Sequence, residues 1–176
     1  MSFLPTLLPG AFVVELERLE DERGFFARSF CRDEFIALGL NPSISQCNVS
    51  FNAKRGTLRG LHFQVEPHAE AKLVRCTQGA VWDVIVDLRT DSPHFKRWFS
   101  IELSAESRRG LYIPEGFAHG FQTLTDDAEL LYMMATPYHA DSARGVRWND
   151  PAIGIKWPIA SPTMSDRDRA FPLLKE

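Results

Sequence analysis

Apolar and polar residues alternate with a period of two along much of the chain. In GAVWDVIVDLR, residues 79–89, Ala80, Trp82, Val84, Val86 and Leu88 share one parity. Val81, Asp83, Ile85 and Asp87 share the other. Successive strand side chains point to opposite sides of a sheet, so this segment predicts a strand with one face in a core. SISQCNVSFN, GTLRGLHFQ, KLVRCTQG, KRWFSIELS, GLYIPEG, GFQTL and AELLYMMAT read as further short strands. Turn chemistry at Thr90-Asp91-Ser92-Pro93, Pro114-Glu115-Gly116 and Asp126-Asp127 separates them. Two short helices are predicted, in CRDEFIALGL, with Gly39 near its end, and in SDRDRAF. The segment from Asp150 to Glu176 holds four of the eleven prolines and reads as an irregular tail laid across the body. Many short strands with regular turns predict a mainly β fold, a sandwich or barrel of the jelly-roll kind.

Composition narrows the class. A chain of 176 residues with 44% hydrophobic and 24% charged residues fits one globular domain with a sizeable core. The net charge of −3 argues against nucleic acid as a partner, because phosphate-backbone affinity needs a Lys/Arg excess. A local basic cluster could still hold an anionic small molecule. No basic region followed by a long apolar run opens the sequence, and no stretch approaches the roughly 20 apolar residues that span a bilayer. No membrane partner is expected. Cys31, Cys47 and Cys76 are odd in number and lack CxxC spacing, so neither a disulfide framework nor a thiolate zinc site is expected. The expected compartment is a reducing cytoplasm.

One motif raises the question of a metal. Pro114-x-Gly116-x-x-His119 resembles the second motif of the cupin superfamily, where the histidine often ligates a metal. The first cupin motif places a histidine pair and a glutamate ahead of a glycine. Counting back from Gly79 puts Lys72 at the glutamate position and Glu66 and His68 at the pair. A lysine ammonium offers three donors and no lone pair, and it repels a cation. No bound metal is therefore expected. A barrel that has lost its metal still encloses a cavity, and such cavities are default ligand sites.

Six ordered stretches then fall together: DERGFFARSF; SQCNVSFNAKRGTLRGLHFQ; KLVRCTQGAVWDVIVDLRTDSP; LYIPEGFAHGFQTL; LLYMMATPYHADSARGVRWNDPAIGIKWP; and MSDRDRAFPLL. In this order and spacing they closely resemble the dTDP-4-dehydrorhamnose 3,5-epimerase family, from about residue 9 to about residue 174. The resemblance implies a single cupin-type jelly roll, a double-stranded β-helix barrel with a few short helices, over residues 1–176. It implies an isomerase without metal or cofactor, usually a homodimer. The substrate implied is a nucleotide-diphosphate 4-keto-6-deoxyhexose of the dTDP-4-dehydro-6-deoxyglucose type, with inversion at C3, C5 or both.

That chemistry dictates residue types. A C4 ketone acidifies the protons at C3 and C5, so a base near neutral titration can remove one and leave an enolate. A carboxylate that fixes the tautomer of a histidine base helps it. An acid on the other face of the ring returns a proton, and a cation or strong donor steadies the enolate oxygen. By resemblance, His62 is the base, Asp168 its carboxylate partner and Tyr132 the opposite-face acid. Lys72 is the enolate or keto-oxygen stabiliser, and His119 lines the same pocket. Arg23 and Arg59 match positions that hold the diphosphate, and Arg167, in the same role, sits where the family commonly has lysine. Gln46 and Asn48 share strand parity and face the pocket; Phe26 packs on the nucleotide base, from a neighbouring subunit in one arrangement; Tyr138 is a second base or sugar contact.

Two departures leave alternatives open. Arg28 stands where many members have glutamate, which leaves the nucleotide base open among dTDP, CDP, GDP and UDP. The segment MMATPYH, residues 133–139, has Pro137 before a single Tyr138, which leaves open epimerisation at C3 alone or C5 alone. A sugar-nucleotide-binding protein without catalysis is the alternative from another class. Alternation also puts Arg59 and His62 on opposite strand faces, although both are wanted in the pocket. Gly60 between them predicts a bulge or sharp twist.

Overall fold

The computed structural model describes residues 1–174. In chain order the strands are β1 (Ser2–Pro5), β2 (Phe12–Glu15), β3 (Arg18–Asp21), β4 (Gly24–Ala27), β5 (Gln46–Asn52), β6 (Leu58–Gln64) and β7 (Lys72–Gln78). They continue as β8 (Ala80–Asp87), β9 (Trp98–Ser104), β10 (Gly110–Ile113), β11 (Phe117–Thr123), β12 (Ala128–Met134) and β13 (Ala143–Gly145). Helix α1 (Arg32–Ala37) follows β4, and α2 (Asp166–Arg169) lies in the tail. A six-stranded sheet, β1-β2-β10-β7-β12-β5, faces a five-stranded sheet, β13-β6-β11-β8-β9, and β3 and β4 pair as a separate ribbon. All strand pairs are antiparallel. Consecutive strands such as β6 and β7, or β11 and β12, sit in different sheets, so the chain winds between the two walls as a jelly roll does. The cupin-type fold expected from the sequence is the one adopted.

Alternation assigns the inward residues. From the six-stranded sheet Val74, Cys76, Leu111, Ile113 and Leu130 meet Val81, Ile85, Leu103, Phe117 and Phe121 of the other sheet in one buried cluster. Lys72 and Tyr132 have the same parity as these residues but lie toward the other end of their strands. The barrel is therefore apolar at one end and lined by polar side chains at the other.

The expectation of one buried face on β8 is corrected. Val81, Asp83 and Ile85 point into the barrel, while Val84 and Val86 pack outward with Leu61, Ala118, Val146 and Ile153. Trp82, Trp98 and Trp157 border this second cluster. The tail covers the outer face of the five-stranded sheet, so both parities are dry. Its attachments are regular: Leu58 N donates to Thr163 O, and Arg147 N donates to Pro172 O. On the other sheet α1 buries Phe35 against Leu73 and Tyr112, and its C-cap, Leu38, is followed by Gly39 at φ +69. The sequence pattern does not mark strands β1–β4 and β13. They are three or four residues long, and β3 is exposed along its length, so no apolar alternation marks it.

The expected irregularity at Gly60 is present. Pairing between β11 and β6 runs His119↔His62 and then Phe121↔Arg59, so that Gly120 alone on β11 faces Gly60 and Leu61 on β6. Gly60 has φ +129, and a Cβ placed on it would sit 2.6 Å from Gly120 Cα and 3.0 Å from His119 O. Only glycine fits there. The extra residue turns Arg59 to the same side as His62.

Candidate active site

The polar end of the barrel is a cavity of about 520 Å³, a size suited to a small ligand. Six strands and the segment after β12 build it. Strand β5 contributes Gln46, Asn48 and Ser50, all of one parity. Strand β6 contributes Arg59, His62 and Gln64, β7 Lys72, β11 His119 and Phe121, and β12 Tyr132 and Met134. Tyr138, Arg144 and Arg167 stand at its rim. Of the residues singled out in the sequence, His62, Lys72, Tyr132, Gln46, Asn48, Arg59, His119, Tyr138 and Arg167 meet on this one surface.

Asp168 reaches the same site from behind. Ser165 caps α2, its side chain accepting from Asp168 N at 3.1 Å, and this places the carboxylate against β6. Asp168 Oδ1 lies 2.9 Å from His62 Nε2, and Oδ2 accepts from Gly60 N at 3.1 Å. A carboxylate acceptor requires the proton on Nε2, which leaves the lone pair on Nδ1. Phe171 meets the His62 ring edge to face at 5.6 Å. The tail thus fixes both the tautomer and the orientation of His62.

Burial by itself would raise the Asp168 carboxyl. The hydrogen bond and charge of His62, the Gly60 amide and Arg167 outweigh it and hold the group below its ordinary value. Because the native value is depressed, the stabilisation from Asp168 is complete above the ordinary carboxyl value of about 3.9 and is lost as pH falls below it. The urea midpoint of the wild type is therefore expected to drop more steeply below about pH 4 than that of Asp168→Asn. Parallel profiles would sink that assignment.

A second histidine–carboxylate pair lies deeper. His119 Nε2 is 3.0 and 2.9 Å from the two oxygens of Asp83, which is wholly buried. The Tyr132 ring stands edge-on to His119 at 6.1 Å. Burial pushes the Tyr132 phenol well above its ordinary range, and the negative charge of Asp83 adds to this. The phenol is therefore protonated at neutral pH. His62 belongs to the five-stranded sheet and Tyr132 to the six-stranded sheet, so the two face the cavity from opposite walls.

Arg23 and Phe26 are not brought to the cavity within this chain, which corrects the direct reading of both. They lie on the β3–β4 ribbon, which is paired with neither sheet. Arg23 is exposed and binds Asp21 at 2.6 Å, and Phe26 is 74% exposed. Arg28 is held by Glu34 of α1 at 2.9 Å and does not line the cavity.

The donor set does not suit a divalent cation. Lys72 lines the cavity with positive charge and offers no lone pair to a cation. Among the described residues, no group of three His, Cys, Asp or Glu side chains is arranged to share a metal ion.

Sequence reasoning missed Asp83, Gln64, Glu70 and Arg144. Asp83 carried a usable signal: a carboxylate sharing parity with Val81 and Ile85 is buried only when paired. Glu70 lies two residues before Lys72 and shares its parity.

Residues 5–176 match the family model described as dTDP-4-dehydrorhamnose 3,5-epimerase. A protein of that name from Shigella flexneri is 46% identical over 96% of this chain and 93% of its own length. One from Salmonella typhimurium is 47% identical over 100% of this chain and 97% of its own. The crystal structure of the Bacillus anthracis protein of that name, with TDP and PPi bound, superposes with a TM-score of 0.95 at 46% identity. It covers 98% of this chain and 99% of the other.

Proposed function

The chain belongs to the dTDP-4-dehydrorhamnose 3,5-epimerase family and is a deoxysugar epimerase, and from that premise we propose that it inverts a dTDP-linked 4-keto-6-deoxyhexose with His62 as base and Tyr132 as acid. The carrying observation is the placement of the His62–Asp168 pair and Tyr132 on opposite walls of one cavity. A sugar ring between the walls presents one face to each.

His62 Nδ1 takes the proton from C5 or C3 as the carbon–hydrogen bond breaks, and the electron pair moves into the C4 oxygen. Asp168, ionised, stabilises the imidazolium that forms. The Lys72 ammonium donates to the developing enolate oxygen, where a fixed cation in a dry wall counts most. Tyr132 then delivers its phenolic proton to the carbon from the opposite face. An enolate carbon is a strong base, so the transfer proceeds even with the phenol raised. The imidazolium proton passes to solvent, and the phenolate recovers one. His119, fixed by Asp83, supplies a polar edge for the ring substituents.

Arg59 and Arg167 hold the diphosphate. The Arg59 fork is aimed by Asn52 Oδ1, which accepts from its Nε at 2.7 Å. The TDP in the Bacillus anthracis structure supports dTDP as the nucleotide. Within this chain Arg28 pairs with Glu34 and does not line the cavity. The experiment is incubation with the keto sugar in deuterated water. Deuterium is expected at C5 and C3, and its absence with folded protein overturns the reading.

The working unit is a homodimer. Strand β5 is a sheet edge on which Val49 and Phe51 are 61% and 51% exposed, an apolar strip that a second copy would cover. The β3–β4 ribbon would then carry Arg23 and Phe26 toward a neighbour's cavity. Light scattering is expected to give twice the chain mass, and Val49→Lys is expected to lower it toward one chain.

A further inference from the structure

Lys72 does not stand free in the wall. It is 5% exposed, and its Nζ donates to Glu70 Oε1 at 2.8 Å, with Glu70 itself 8% exposed. The other carboxylate oxygen, Oε2, accepts from Gln64 Nε2 at 3.0 Å. The same amide nitrogen lies 3.0 Å from His68 O and 3.2 Å from Pro137 O, and Gln64 Oε1 accepts from His139 N at 2.6 Å. Both oxygens of Glu70 are therefore committed, and the glutamine that holds one of them is itself held from two further segments. A carboxylate bound in this way cannot rotate, and it takes one of the three ammonium N–H directions of Lys72. Among the described residues Glu70 is the one acceptor for Nζ, and Lys72 lines the cavity, so the ammonium keeps donor capacity for a ligand there.

We propose that Glu70 is a positioning residue for the epimerisation: clamped by Gln64, it aims the Lys72 ammonium at the substrate's C4 oxygen. The inference rests on the assignment of Lys72 as enolate stabiliser. A flexible four-carbon stem would otherwise let the ammonium wander, and a misplacement of about 1 Å can cost on the order of 100-fold in rate. A purely structural role, one buried charge offsetting another, is the competing account.

The two accounts separate in a double-mutant cycle read by deuterium exchange, with dTDP affinity and thermal midpoint measured alongside. Glu70→Gln is expected to lower kcat about 10- to 100-fold with KM little changed and dTDP affinity within about two-fold. Lys72→Met is expected to lower kcat about 100-fold or more. The double variant is expected to be no slower than Lys72→Met, because Glu70 acts through the lysine. It is also expected to be more thermostable than Glu70→Gln, since no unpaired buried charge remains. Glu70→Asp keeps the charge, and with it the fold, but withdraws the clamp by one carbon; it too is expected to lose kcat. Wild-type kcat in Glu70→Asp and Glu70→Gln, or losses that multiply in the double variant, would overturn the proposal. Wild-type exchange by Lys72→Met would instead overturn the assignment of Lys72 beneath it, and His62-dependent exchange would still stand.

Discussion

Replacing His62 with alanine is expected to lower deuterium exchange at C5 and C3 by about 100- to 10,000-fold, the usual worth of a positioned general base. The fold should survive. The His62 side chain is 43% exposed, and Asp168 keeps its bond from Gly60 N. Affinity for dTDP should change little, because the residues at the rim are untouched. Proton NMR of the sugar in deuterated water reads both carbons at once. The pattern is informative as well as the rate. If one base serves both positions, exchange at C3 and C5 falls together. Loss at one carbon alone would assign the other to a different base, for which His119, paired with Asp83, is the available group. Exchange at the wild-type rate would remove His62 from the mechanism and leave the opposed walls without a base.

Gly60→Ala is expected to have the other large effect, on the fold and on activity together. The added methyl carbon would approach Gly120 Cα to 2.6 Å, backbone against backbone, and φ +129 is a region that L side chains rarely adopt. Backbone strain of about 1–3 kcal/mol and overpacking of about 1–3 kcal/mol sum to several kcal/mol. That is a large share of the roughly 5–15 kcal/mol by which domains are stable. The urea midpoint should fall accordingly. Surviving protein should lose activity beyond its unfolded fraction, because flattening the bulge returns Arg59 and His62 to opposite faces of β6. A variant with the wild-type midpoint and rate would show that the close approach of β6 and β11 is not required.

The bulge is a case in which a local rule and its failure were both legible. Alternation in LRGLHF puts two wanted side chains on opposite faces, and glycine between them is the one residue able to reconcile them. Most of the wall reads the same way. Gln46 and Asn48, or Lys72 with Val74 and Cys76, share parity in the sequence and share a face in the barrel. What failed was the use of polarity to infer exposure. Asp83 lies in the barrel on the side that looked half polar, and the opposite side of β8 is dry as well. Nothing near β8 announces this, because the cover comes from a tail more than sixty residues further on. Glu70 escaped for a related reason: beside Lys72 in the sequence it resembles a solvated pair, and only the segments from β6 and after β12 make it a buried clamp.

The sequence by itself determined the strand periods, most of the turns, the family and the residue types its chemistry needs. These depend on the backbone geometry of neighbouring residues and on motifs short enough to read in place. Tertiary structure alone decided which walls face each other, and so that His62 and Tyr132 oppose across a cavity. It decided that Asp168, 106 residues from His62, fixes its tautomer. It also separated Arg23 and Phe26 from the cavity, on a ribbon paired with neither sheet. Such relations depend on long-range pairing and on what covers each face. Their energies come from desolvation and from bonds between distant segments, which residue order along one strand does not encode.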